Sequence, residues 1–84
     1  MPRVDRVWPA SVEQLKAGDM VKKTFLSSDG AGEGLWVLVK QITSWGIIGP
    51  LLNPPSETYV PQLEEGSIVA VNLFEIIDWV RDHK

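Results

Sequence analysis

Residues 35–45, LWVLVKQITSW, form the stretch whose reading decides the fold. Leu35 to Val39 are apolar without a break and rich in branched and aromatic side chains, so they predict a strand. A strand with one wet face alternates apolar and polar residues. This one asks for cover on both faces, as a strand has when it curves through the middle of a closed or nearly closed barrel. Upstream lies SSDGAGEG (27–34), whose Gly30, Gly32 and Gly34 permit left-handed backbone angles and mark a hairpin loop. The loop joins the Trp36 strand to an earlier one, Met20 to Leu26, in which Val21, Thr24 and Phe25 favour extended backbone and Lys22 and Lys23 supply wet positions.

Downstream, Ser44 to Gly46 turn the chain into a third strand, Ile47 to Leu52. Pro50 has no N–H and places that strand at an edge or a bulge. NPPSETYVP (53–61) cannot be helical, because each proline biases its predecessor toward extended angles, and it reads as an ordered loop. A fourth strand, Ser67 to Leu73, sets Val69, Val71 and Leu73 against Ile68, Ala70 and Asn72. NLFE (72–75) is a short turn, Ile76 to Val80 a final strand, and residues 81–84 a frayed tail. Before all of this, residues 1–10 read as an extended lead-in, and Ser11 with Gln14 has capping-box spacing that opens a short helix over 11–18, ended by Gly18. Val12 and Leu15 would point inward from it. The predicted fold is mainly β: one domain over 1–84, a small SH3-like or related five-stranded barrel over 19–80 with a short N-terminal helix.

One pattern occurs twice. LKAGDMV (15–21) and LEEGSIV (63–69) share Leu, two residues, Gly, a small polar residue, an apolar residue and Val, and in each the Gly relaxes a tight turn just before a strand. The expectation is one local solution used at two places.

Composition bounds the rest. The chain has 84 residues, 44% hydrophobic and 23% charged, with four Trp, enough for one core and too little for two. With no Cys there are no disulfides, thiolate nucleophiles or Cys-type zinc sites. The N-terminus shows no secretion signal and no stretch is long and apolar enough for a membrane span, so the expectation is cytoplasmic residence without membrane association. A net charge of −3 disfavours a broad nucleic-acid surface.

GLWVLV (34–39), GIIGPLLNPP (46–55) and VPQLEEGSIVAVNLFEIIDW (60–79) resemble the YegJ-type bacterial domain of unknown function. The family shows an aromatic-led "MWV" strand, "G-x-L-x-N-x-P", "L-x-x-G-D-x-V" and a closing "I-x-D-W". The matching positions are Trp36 and Val37; Gly49, Leu51, Asn53 and Pro55; Leu63, Gly66 and Val69; and Ile76 or Ile77 with Asp78 and Trp79. LKAGDMVKKTF is similar to its opening "GD-x-V-K" strand, so the likeness spans Leu15 to Trp79. The chain departs from the pattern at Leu35, Pro50 and Ser67. The resemblance implies a small β domain and carries no activity.

No residue set forms a catalytic, metal or cofactor signature, and no cofactor is expected. His83 sits next to the last residue, where nothing holds a general base in reach of a proton. GAGEG is followed by a strand, whereas phosphate loops open a helix. Asp78, between Ile77 and Trp79, is expected to be partly buried; accepting backbone or indole hydrogen bonds explains it, and a small hydrolase using Asp78 is the enzymatic alternative. Lys22, Lys23 and Lys40 can share a strand face and attract an anion, the basis of a single-stranded nucleic-acid alternative, although a solvated face also explains them. Trp36 and Trp79 read as core. Trp45 and Tyr59 with Pro54 and Pro55 can rim an aromatic groove, between the Ser28–Gly34 hairpin and the Asn53–Pro61 loop, of the kind that docks extended peptides. The leading expectation is a non-enzymatic binding or regulatory module with a protein or peptide partner, and a homodimer through the Pro50 edge strand is a further possibility for assembly.

Overall fold

In a computed structural model of the protein, residues 11–56, 59 and 62–81 are described. The lead-in with Trp8, His83 and part of the 53–61 loop lie outside them. Among the described residues six strands follow in chain order: β1 (Met20–Leu26), β2 (Gly32–Leu38), β3 (Gln41–Ile42), β4 (Gly46–Pro50), β5 (Ile68–Asn72) and β6 (Ile76–Val80). They make two antiparallel three-stranded sheets, ordered β2-β1-β6 and β3-β4-β5. The mainly-β expectation holds. Of the expected five-stranded barrel, the described strands show these two sheets and no closed barrel, and where a helix was expected over 11–18 there is one 3-10 turn, Val12–Gln14. The Ser11–Gln14 capping box forms as its spacing predicts. The helix does not continue because Leu15 is already extended and the next residues are taken by a turn, Asp19 N–H donating to Lys16 O at 3.0 Å.

The LWVLVKQI run is where the chain changes sheet. Leu35 and Val37 bury their side chains in the first sheet; then Val39 N–H donates to Asp19 O at 2.8 Å while Lys40 N–H donates to Ile48 O at 3.2 Å, in the second. Adjacent amides thus bond to different sheets, which bends the chain there. The approach is close enough that a Cβ on Gly49 would overlap the Leu38 carbonyl, so only glycine fits. Leu35, Val37 and Val39 are core; Trp36 and Leu38, on the other face, are half-buried. Of the two Trp expected in the core, Trp79 is there and Trp36 is not.

The core gathers Leu15, Val21, Phe25, Leu35, Val37, Val39, Ile47, Leu51, Tyr59, Val71, Ile76 and Trp79 from both sheets. Pro50 corrects its expected placement, because β4 is the middle strand of its sheet. Leu51 N–H bonds to Ser67 O and Leu73 N–H to Trp45 O, so alternation puts Pro50 and Ile68 in a non-hydrogen-bonded pair, where a missing N–H costs nothing. On its other side β3 has already ended. The Pro50 strand is thus not an outer strand of its sheet.

The repeated pattern folds the same way twice. In the first turn Gly18 has φ 100°, Lys16 N–H bonds to Asp19 Oδ2 at 3.0 Å, and Gly18 N–H bonds to Val39 O at 2.9 Å. In the second Gly66 has φ 93°, Glu64 N–H bonds to Ser67 Oγ at 2.9 Å, and Gly66 N–H bonds to Leu51 O at 2.8 Å. Val39 and Leu51 each return a bond to the small polar residue's carbonyl, at 2.8 Å in both.

Candidate functional site

Where the groove was expected, hydrogen bonds tie the described residues of the proline loop to β2. Glu33, in β2, accepts from Ser56 N–H at 3.1 Å, from the Ser56 hydroxyl at 2.7 Å and from the Tyr59 hydroxyl at 2.8 Å. Asn53 Oδ1 accepts from Trp36 N–H at 2.8 Å. The Tyr59 ring, 6% exposed, meets Phe25 edge-on with centroids 6.4 Å apart. Tyr59 is therefore a core residue that ties the loop down, not a ring offered to a ligand. Pro54 is exposed and Pro55 half-buried on the fastened loop.

The three lysines are not gathered. Lys22 lies over Trp36, 5.7 Å from the ring centroid, while Lys23 points to the opposite face, 4.6 Å from the Phe25 centroid and 3.4 Å from Glu75. Lys40 is exposed at the bend after β2. Asp78 is half-buried, accepts from Trp79 N–H at 2.9 Å and stands opposite Lys22 in the β1–β6 register. Its cross-strand neighbour is a cation and not the second carboxylate a hydrolase would use. Among the described residues no group of three or more His, Cys, Asp or Glu side chains is placed to hold a metal ion, and no helix is long and apolar enough to cross a membrane.

Trp45 is exposed, as a ligand contact would be, but its neighbour is one the sequence did not single out. The β3–β4 turn is pinned by Thr43, whose hydroxyl accepts from Trp45 N–H at 3.2 Å and Gly46 N–H at 3.0 Å. Trp45 O accepts from Leu73 N–H at 2.9 Å, which fastens this turn to a 3-10 turn, Leu73–Glu75. That second turn is locked by its own capping box: Asn72 Oδ1 accepts from Phe74 N–H at 3.0 Å and Glu75 Oε1 from Asn72 N–H at 2.9 Å. Phe74 at its centre is 93% exposed and Trp45 43% exposed. Two exposed aromatic side chains thus stand on two hydrogen-bonded turns that a backbone bond joins. The signal for Phe74 was present in the sequence: Asn72 and Glu75 have capping-box spacing, and a single turn fixed at both ends has no inner face for its middle side chain.

Comparison with family models, with curated proteins and with solved structures found no match. The structure defines a small, mainly β domain with an exposed aromatic pair at one end of its second sheet.

Proposed function

We propose that this protein is a non-enzymatic binding module of SH3-like type that docks an extended protein or peptide segment on Trp45 and Phe74. The exposure of Phe74 carries the reading. A Phe ring buries roughly 150 Å² or more, so at about 25 cal per Å² roughly 4 kcal/mol of transfer free energy is left unused by folding. A turn fastened by its capping box that holds such a ring in water offers it to a partner. The SH3-like reading is supported by the strand order, since β2 and β3 read as one bent strand give five strands, with a 3-10 turn before the last. The likeness of residues 15–79 to the YegJ-type domain of unknown function belongs to the same reading, and a cysteine-free chain suits the cytoplasm. Trp45 keeps the role expected of it; Phe74 replaces Tyr59.

Selection of binders from a random peptide library tests this. Selected peptides should shift the Trp45 indole and Phe74 ring resonances, and Trp45→Ala and Phe74→Ala should each weaken binding roughly tenfold or more without lowering the melting temperature. Shifts confined to other surfaces, or unfolding by both substitutions, would overturn it.

A further inference from the structure

The outer strands of the two sheets are not alike. The outer side of β2 is covered, with Leu52 N–H on Trp36 O and Trp36 N–H on Asn53 Oδ1, both at 2.8 Å. β3 has two residues and follows Lys40. β6 carries Asp78 and a shift of register against Lys22 and Lys23. Covered, short, charged or bulged edges are the devices by which sheets refuse a further strand. β5 has none of them: Ile68-Val69-Ala70-Val71-Asn72 is uncharged, unbulged and free of proline, and among the described residues it pairs with β4 alone.

Backbone phase identifies what this edge presents. Ser67 and Leu73 bond toward the β4 side, so alternation turns the N–H and C=O groups of Ile68 and Ala70 away from β4. Both side chains are exposed, Ile68 by 68%. The edge begins just after the exposed carboxylates of Glu64 and Glu65 and ends at Asn72, next to Phe74. It is thus continuous with the aromatic pair and acidic where it starts.

We propose that β5 accepts a partner as an added antiparallel strand: an extended protein segment with apolar side chains at alternate positions and lysine or arginine flanks. This rests on the binding-module reading and deepens it. Main-chain bonds to Ile68 and Ala70 hold the segment, the flanking cations meet Glu64 and Glu65, and Phe74 with Trp45 covers the end beyond Asn72. A second copy of this chain fits less well, because it brings its own Glu64, Glu65 and Glu75, and a net charge of −3, to the same seam.

The probe is the synthetic peptide Lys-Lys-Val-Thr-Val-Thr-Val-Lys-Lys, compared with the same core flanked by Glu and with a version N-methylated at alternate residues. The full chain is followed by amide hydrogen exchange and by titration. The Lys-flanked peptide should slow exchange at Ile68 and Ala70 at least about tenfold, the Glu-flanked peptide should bind roughly tenfold or more weakly, and the N-methylated one should not bind. Ala70→Lys should abolish the protection. Binding that Phe74→Ala destroys while Ile68 and Ala70 exchange at their unliganded rate overturns strand addition and leaves the aromatic reading standing. Protection of both amides that survives Trp45→Ala and Phe74→Ala overturns the aromatic reading alone. Absence of binding by the Lys-flanked peptide overturns the proposal, as does protection that grows with protein concentration in the absence of peptide, which assigns the edge to a second copy.

Discussion

Asp19 is 2% exposed, and its Oδ2 accepts from Lys16 N–H and from Trp79 Nε1–H, both at 3.0 Å. Its place in a turn was legible from the repeated Gly-polar pattern; its second partner was not, because Trp79 is 60 positions away along the chain. That partner explains why the first turn carries Asp where the second carries Ser. Asp19→Ala strands two donors and should cost about 2–4 kcal/mol, whereas Asp19→Asn keeps an acceptor and should cost about 1 kcal/mol or less, both read by urea denaturation. Asp29 titrates differently. The Ser27 hydroxyl first, then Ala31 N–H, hold its carboxyl below the usual carboxylate range. A depressed folded value makes the stabilisation present at and above the pH where the unfolded chain ionises, and removes it as pH falls through the folded value. The Asp29 Cγ resonance should therefore titrate below that of an unstructured peptide. Asp29→Asn should flatten this part of the acid limb.

At the scale of elements, β1 and β6 run from Met20 to Leu26 and from Ile76 to Val80, the bounds that alternation and turn chemistry predict. β5 keeps the predicted facing: Val71 is buried, Val69 and Leu73 pack against the core, and Ile68 and Ala70 are exposed. The N-terminal helix failed because a capping box is only an opening signal; one turn is a costly nucleus, and the adjoining turn at Lys16–Asp19 ended it. Two glycines separate local from tertiary demands. Gly66 has φ 93° with open space around an added Cβ, so Gly66→Ala should cost about 1–2 kcal/mol of backbone strain. Gly49 lies against the Leu38 backbone, and Gly49→Ala should cost about 3 kcal/mol or more, because a carbonyl must move. Parallel denaturant titrations of the two variants give the order directly.

For the whole molecule, the decisive event is that residues 35–42 serve both sheets, placing Trp45 and Tyr59 at different ends of the same run. Trp45 is bonded to Leu73, and Tyr59 to Glu33. An aromatic groove joining them was expected from their shared residue type, which carries no information about which end each occupies. Glu33 is the long-range fastener of the Tyr59 end. Glu33→Ala should speed exchange of the Ser56 amide and lower stability by about 1–3 kcal/mol, while leaving peptide binding at Phe74 intact. Equal loss at both ends would show that the loop and the aromatic pair are not separate.

The amino-acid order alone determined a cysteine-free, mainly β chain, the bounds of β1 and β6, the inward residues of β5, and a turn used twice. Each of these depends on neighbours a few positions apart, where side-chain alternation and glycine placement act without knowledge of the rest. Tertiary closure decided that Pro50 lies in a middle strand, that Tyr59 is buried while Phe74 is not, that Asp19 holds Trp79, and that among the described residues β5 alone of the outer strands is left unguarded. Those outcomes are set by which strands meet, and meeting is a property of the folded chain as a unit.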